Sequence, residues 1–273
     1  MEQRLLDLLR ASIEKRMMAD VPFGVFLSGG VDSSTNVALM SELMSSPVRT
    51  FSIAFKEYEQ YNELGYAREI AQRFGTDHHE VLIDWDDLES FLPEMIFHQD
   101  EPIADWVCVP LHYVSKLARD NDTIVVQVGE GSDELFHGYD TYINAARFRR
   151  RFWEPFQRLP APVRNGTGRA VTGLARRVGR GEVHALAVAE AAAGRLPFWG
   201  GAICYQGAIK DRVIAHNGGT IPDSYEVVER FWRAAERDRP GADLLSKMTY
   251  LELKQRLAEL LLMRVDKMTM ALS

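Results

Sequence analysis

The chain has 273 residues, 46% hydrophobic and 26% charged, enough for a sizeable core in one large domain or two modest ones. A formal net charge of −7 weighs against nucleic acid as the main partner. No apolar run approaches the ~20 residues that cross a bilayer. MEQRLLDLLR lacks the layout of a secretory signal, and Cys108 and Cys204 stand far apart in no metal or redox spacing. A cytoplasmic protein with two buried thiols is the expectation.

In chain order, Leu5–Met18 places leucines, Ile13 and Met17 near helical spacing and predicts an amphipathic helix against a sheet. Asp20-Val21-Pro22 ends it. Val25-Phe26-Leu27 is an apolar run that suits a buried parallel strand. Ser28-Gly29-Gly30 breaks that strand, and Asp32, Ser33 and Ser34 can start a helix over Thr35–Met44. Strand, glycine turn and helix N-terminus together form an anion-holding geometry. No lysine follows the glycines and the GxGxxG spacing is missing, so the two commonest phosphate loops do not fit. SGGVDSS resembles instead the pyrophosphate loop of the ATP-pyrophosphatase group. The plainer alternative is an ordinary turn with Asp32 as a cap.

Val48–Phe55 reads as strand two, Glu63–Phe74 as a helix stopped by Gly75, and His79–Ile83 as strand three. A helix over Asp86–Phe97, a polar link His98–Asp105 containing Glu101-Pro102, and a helix over Pro110–Asp120 precede strand four, Thr123–Val128. This alternation predicts an α/β fold with a doubly wound parallel sheet of about five strands. Its ligands belong beyond the carboxyl ends of the strands. Gly129-Glu130-Gly131-Ser132-Asp133-Glu134 is a second glycine turn, again directly after a strand. Carboxylates at a phosphate site need a cation between them, and Mg²⁺ suits oxygen ligands. A solvated acidic loop capping a helix is the simpler reading.

After Tyr142 the alternation stops. Arg147–Trp153 mixes arginine and aromatics; a solvated helix face with its aromatics inward fits the acidic whole better than a nucleic-acid patch. Residues 161–182 carry Gly and Arg without period and read as a mobile loop. Val183–Ala193, Ser224–Arg237 and Leu244–Met263 read as helices. The expected division is a nucleotide-binding core over about 21–145 and a helical extension over about 146–273, within one synthetase domain.

The segments VPFGVFLSGGVDSS, TFSIAF, Asp100–Pro102 with PLHYVSKLAR, VVQVGEGSDELFHGYDTY and LLMRVDKMTMALS together resemble the synthetase domain of the glutamine-hydrolysing asparagine synthetase family. The likeness runs from about Val21 to the end and is weakest over 150–240. β-Lactam synthetase is a more distant relative. The resemblance implies an adenine-nucleotide alpha-hydrolase-like sheet and, as substrates, ATP, an acidic amino acid (usually aspartate) and ammonia. The carboxylate is adenylated with release of pyrophosphate; ammonia then displaces AMP.

By the same resemblance, Ser28, Gly29, Gly30, Asp32 and Ser33 hold the pyrophosphate portion. Leu27, Ile53, Val128 and Gly129 contact the nucleotide, and Asp32 and Asp133 bind Mg²⁺. Glu130, with Asp133, is placed at the catalytic step. Val128 stands where the family often has serine, and IADWVC over Ile103–Cys108 lacks the arginine that some members present to the substrate carboxylate. A different carboxylic acid, a β-lactam synthetase-like cyclisation and a non-catalytic nucleotide-binding module therefore stay open. Met1 is followed by Glu2 rather than a catalytic cysteine, and Ser273 falls inside a motif that usually continues. The expectation is a domain of a longer parent that carries a glutaminase domain, weakly active or inactive alone. No membrane or nucleic-acid partner is expected, and a homodimer is compatible with this reading.

Overall fold

The computed structural model describes residues 2–58, 60, 62–100, 103, 105–179, 181–196, 198, 210, 213–214 and 222–272. Glu101, Pro102 and Cys204 lie outside the described residues. The chain forms two compact units, one of Met1–Glu130 with Leu261–Ser273 and the other of Gly131–Leu260.

The first unit is built on a parallel sheet of order β3-β2-β1-β4, with β1 (Phe23–Phe26), β2 (Arg49–Phe55), β3 (Asp77–Ile83) and β4 (Val125–Gln127). Four strands form among the described residues, not five. The four β-rich apolar segments each supply one, and after Gln127 the described chain keeps to helical periods. Val25 pairs with Thr50 on one side and Gln127 on the other, which fixes β1 in the centre. Side chains alternate across a strand, so β1 serves both faces. Val25, with Leu27 just beyond the strand, joins Val37, Met40 and Ala67 from α2 (Val31–Leu43) and α3 (Leu64–Phe74), together with Ile13 from α1 (Glu2–Arg16). Phe26 faces the other way, toward Phe51, Val114 and Ala118. That face is covered by α4 (Trp85–Gln99) and α5 (Cys108–Asp120), and Met268 packs among Ile83, Phe91 and Cys108. Helices on both faces make the sheet doubly wound. Cys108 is a fully buried free thiol whose pKa burial pushes up to about 11.

The second unit is helical: α6 (Ser132–Phe136), α7 (Asp140–Phe148), a π-helical turn over Arg149–Trp153, α8 (Glu154–Gln157), α9 (Ala161–Val178), α10 (Glu182–Ala192), α11 (Tyr225–Asp238) and α12 (Leu244–Lys254). A second π-helical turn, Leu257–Leu262, leads into α13 (Met263–Met270) of the first unit. The stretch expected as a loop, 161–182, is mostly the 18-residue α9. Its glycines do not break it because one of them packs. A Cβ on Gly168 would stand 2.9 Å from Ala192 Cβ, so glycine there is what brings α9 and α10 close. The aromatics of RFRRRFW continue into a ladder: the rings of Phe148 and Phe152, and of Phe152 and Phe156, are each 5.1 Å apart. Arg147, Arg150 and Arg151 face solvent, as a helix face requires. No helix among the described residues is long and apolar enough to cross a membrane.

Candidate functional site

β2 and β3 extend the sheet on one side of β1, and β4 lies on the other. The order reverses between β1 and β4, and an open parallel sheet takes its ligands at such a point, beyond the carboxyl ends of the strands. Both glycine turns leave the sheet there.

The first turn is tightly held. Leu27 N–H donates to Phe51 O at 2.9 Å, and Ser52 Oγ donates to Leu27 O. Gly29 has φ of 80°, and a Cβ there would lie 2.5 Å from Tyr66 Cβ and 2.8 Å from Ala67 N. The close approach of α3 therefore leaves room only for glycine. Ser33 Oγ accepts from Ser28 N–H at 3.2 Å and donates to Gly30 O at 3.3 Å, tying the turn to the helix it starts. Ser28 Oγ lies 3.1 Å from Ser33 Oγ and accepts from Gly30 N–H at 3.3 Å. The N-cap residue of α2 is Gly30, which has no side chain to cap the helix. The positive end of this 13-residue helix is of the kind that can hold an anion.

The second turn meets the first. A Cβ on Gly129 would lie 3.5 Å from Asp32 Cβ and 3.6 Å from Ser33 N. The two turns share a cavity of about 340 Å³, within the ordinary range for a small-molecule site. Leu27, Ser28, Asp32 and Ser33 line it from the first turn, and Val128, Gly129 and Glu130 from the second. Ile53 lines it from β2, and Phe51, Leu111 and Val114 supply apolar wall. Gly29 and Gly30 shape the turn without lining the cavity.

Asp133 belongs to the second unit, at the first turn of α6. Its carbonyl accepts from Gly138 N–H at 3.0 Å. A Cβ on Gly138 would fall 1.8 Å from Asp133 Oδ1, so glycine at 138 leaves that carboxylate its space. The same segment is anchored by Glu134, which is buried. Glu134 Oε1 accepts from Tyr139 Oη at 3.0 Å and from Arg256 Nη1 at 3.2 Å. The Arg256 guanidinium also sits 4.7 Å from the Tyr139 ring centroid. Burial, then the charge of Glu134, holds the Tyr139 phenol well above its ordinary pKa, so it stays a donor.

Sequence reasoning missed Arg264. On α13, its Nη2 donates to Glu130 Oε1 at 3.2 Å and its Nη1 to Asp105 Oδ2 at 2.5 Å. Burial disfavours the guanidinium, but the bond to Asp105 and the charge of Glu130 outweigh it, and its pKa stands above the usual arginine value. The available signal was a cation inside the apolar run LLMRVDKMTM.

Among the described residues no three His, Cys, Asp or Glu side chains gather closely enough to hold a metal unaided. The donors at the first turn are carboxylate and hydroxyl oxygens. They fit Mg²⁺ bound in its usual manner, through one or two carboxylates with phosphate and water completing the shell.

A family described as asparagine synthase matches residues 4–273. The chain belongs to the asparagine synthase family. It is 29% identical, over 97% of its length, to asparagine synthetase [glutamine-hydrolyzing] 1 of Bacillus subtilis, covering 39% of that protein. It is 32% identical, over 96% of its length, to a putative asparagine synthetase [glutamine-hydrolyzing] of Mycobacterium tuberculosis, covering 38%. A putative asparagine synthetase [glutamine-hydrolyzing] 2 of Methanocaldococcus jannaschii is 40% identical over 51% of this chain and 27% of that protein. The chain thus spans about two fifths of the length of the first two relatives.

Proposed function

We propose that the chain is the ATP-dependent, amide-forming synthetase domain of a longer glutamine-hydrolysing protein of the cytoplasm. A carboxylate oxygen, taken to be that of the aspartate side chain, attacks the α-phosphorus of ATP. The bond to the β-phosphate breaks, giving an acyl-adenylate and pyrophosphate. Ammonia, delivered from a glutaminase domain in the parent protein, then attacks the acyl carbon and AMP leaves with the bonding electron pair.

The observation that carries this reading is the convergence of Ser28–Ser33 and Val128–Glu130 on one cavity at the strand-order switch. The first turn of α2, entered through Gly30, suits the leaving pyrophosphate, because helix N-terminal N–H groups meet developing charge without reorganising. Asp32 and, on the family resemblance, Asp133 are the residues we assign to Mg²⁺, which supplies charge neutralisation when bound. Glu130 is assigned to the proton of the attacking amine. Leu27, Ile53, Val128 and Gly129 are assigned to the nucleoside.

The test is product analysis in the full-length protein with Mg-ATP, ammonium chloride and a panel of carboxylic acids headed by aspartate. AMP and pyrophosphate should appear only with a cognate acid. Asp32→Asn should raise the Mg-ATP requirement by about tenfold or more, as expected for loss of a charged ligand, with the circular dichroism spectrum unchanged. Formation of ADP and phosphate, or turnover indifferent to the acid, contradicts the reading.

A further inference from the structure

Arg264 is 134 residues distant from Glu130 in the chain, yet within the first unit it sits between two carboxylates. Its two terminal nitrogens are used separately, Nη1 on Asp105 and Nη2 on Glu130. The Arg264 and Asp105 side chains are each 12% exposed, and that of Glu130 22%. A planar fork with two occupied prongs fixes the spacing and orientation of both partners, which the single point charge of a lysine cannot do. Glu130 lines the cavity, whereas neither Arg264 nor Asp105 does. The guanidinium therefore reaches the cavity through the glutamate.

We propose that Arg264 is a positioning residue that aims the Glu130 carboxylate into the cavity and is itself anchored by Asp105. The inference rests on the amide-forming role proposed for Glu130. Arg264 holds one carboxylate oxygen of Glu130 by a charged hydrogen bond, so the side chain presents a defined face to the acyl carbon. Asp105 sets the pitch of the fork. Lys267, one turn further along α13, pairs instead with the exposed Asp100 and serves as a control on the same helix.

The test is a double-mutant cycle in the full-length protein, following ammonia-dependent amide formation and the KM for Mg-ATP. Arg264→Lys keeps the charge and loses the fork. It should lower kcat about tenfold or more while leaving the KM for Mg-ATP within about twofold. In a Glu130→Gln background the same change should alter kcat by less than about twofold, because the group it positions has gone. Lys267→Ala should leave kcat unaltered. If Arg264→Lys does not fold by circular dichroism, Asp105→Asn carries the same cycle, with the same non-additivity expected. Equal losses in both backgrounds, or a rise in the KM for Mg-ATP parallel to the fall in kcat, make Arg264 a purely structural residue and overturn the proposal. Failure of the unsubstituted protein to form any amide overturns the proposed function itself, and this inference with it.

Discussion

His112 shows how one buried side chain ties this fold to pH. It lies on α5, with its ring centroid 3.9 Å from that of Phe91 and 5.3 Å from that of Tyr113. Its Nδ1 is buried and has no hydrogen-bond partner. Burial holds its pKa below the ordinary 6.5; Glu94 opposes this, and the positive charges of His98 and Lys116 reinforce it. The unfolded chain therefore binds the proton more readily than the folded one. The penalty is absent above about 6.5 and grows as pH falls toward the folded value, so stability rises with pH across that window. His112→Phe should flatten the decline of the urea midpoint between pH 7 and pH 5. An unaltered decline would assign the acid sensitivity to other groups. At this scale the glycines and acids of the two turns could be read in advance, because each follows an apolar strand directly. Arg264 could not, because its partners lie on other elements and no local spacing reports them.

Among the elements, α9 tests the balance between local propensity and packing. Glycine inside a helix costs about 0.5–1 kcal/mol relative to alanine, and five glycines, with arginines and no period, made residues 161–182 read as a loop. Gly166 faces open space, whereas Gly168 stands against Ala192. Gly166→Ala should raise stability by about 0.5–1 kcal/mol. Gly168→Ala should lower it by about 1–3 kcal/mol, as overpacking does when backbones must part. Thermal unfolding of both variants checks the pair; shifts of the same sign would mean that the α9–α10 contact does not decide the helix. The sheet was legible because four runs of strand formers alternate with helical periods. Among the described residues the strand count is four rather than the expected five, because the described chain after Gln127 forms helices. The helix expected over Leu244–Met263 is broken at Gln255, whose φ of −120° and ψ of −80° leave the helical region before the π-helical turn.

For the molecule as a whole, the pattern of contacts divides the chain just after Glu130, in the middle of the second glycine turn. Residues up to Glu130 shape the cavity, and the residues that follow begin a separate helical unit. Sequence reasoning places a change near residue 145, where the strand–helix alternation ends. The return of α13 to the first unit brings Arg264 and Met268 back to the sheet and its covering helices. The central claim is that a nucleotide sits where β1 and β4 diverge. The most direct measurement is paramagnetic broadening of the isotope-labelled chain by Mn²⁺-ATP, with manganese standing in for magnesium at an oxygen-ligand site. The account predicts that the backbone amides of Ser28–Ser33 and Val128–Glu130 broaden first, and that Asp32→Asn suppresses the effect at the same concentration. Broadening centred elsewhere, or unchanged by Asp32→Asn, would contradict it.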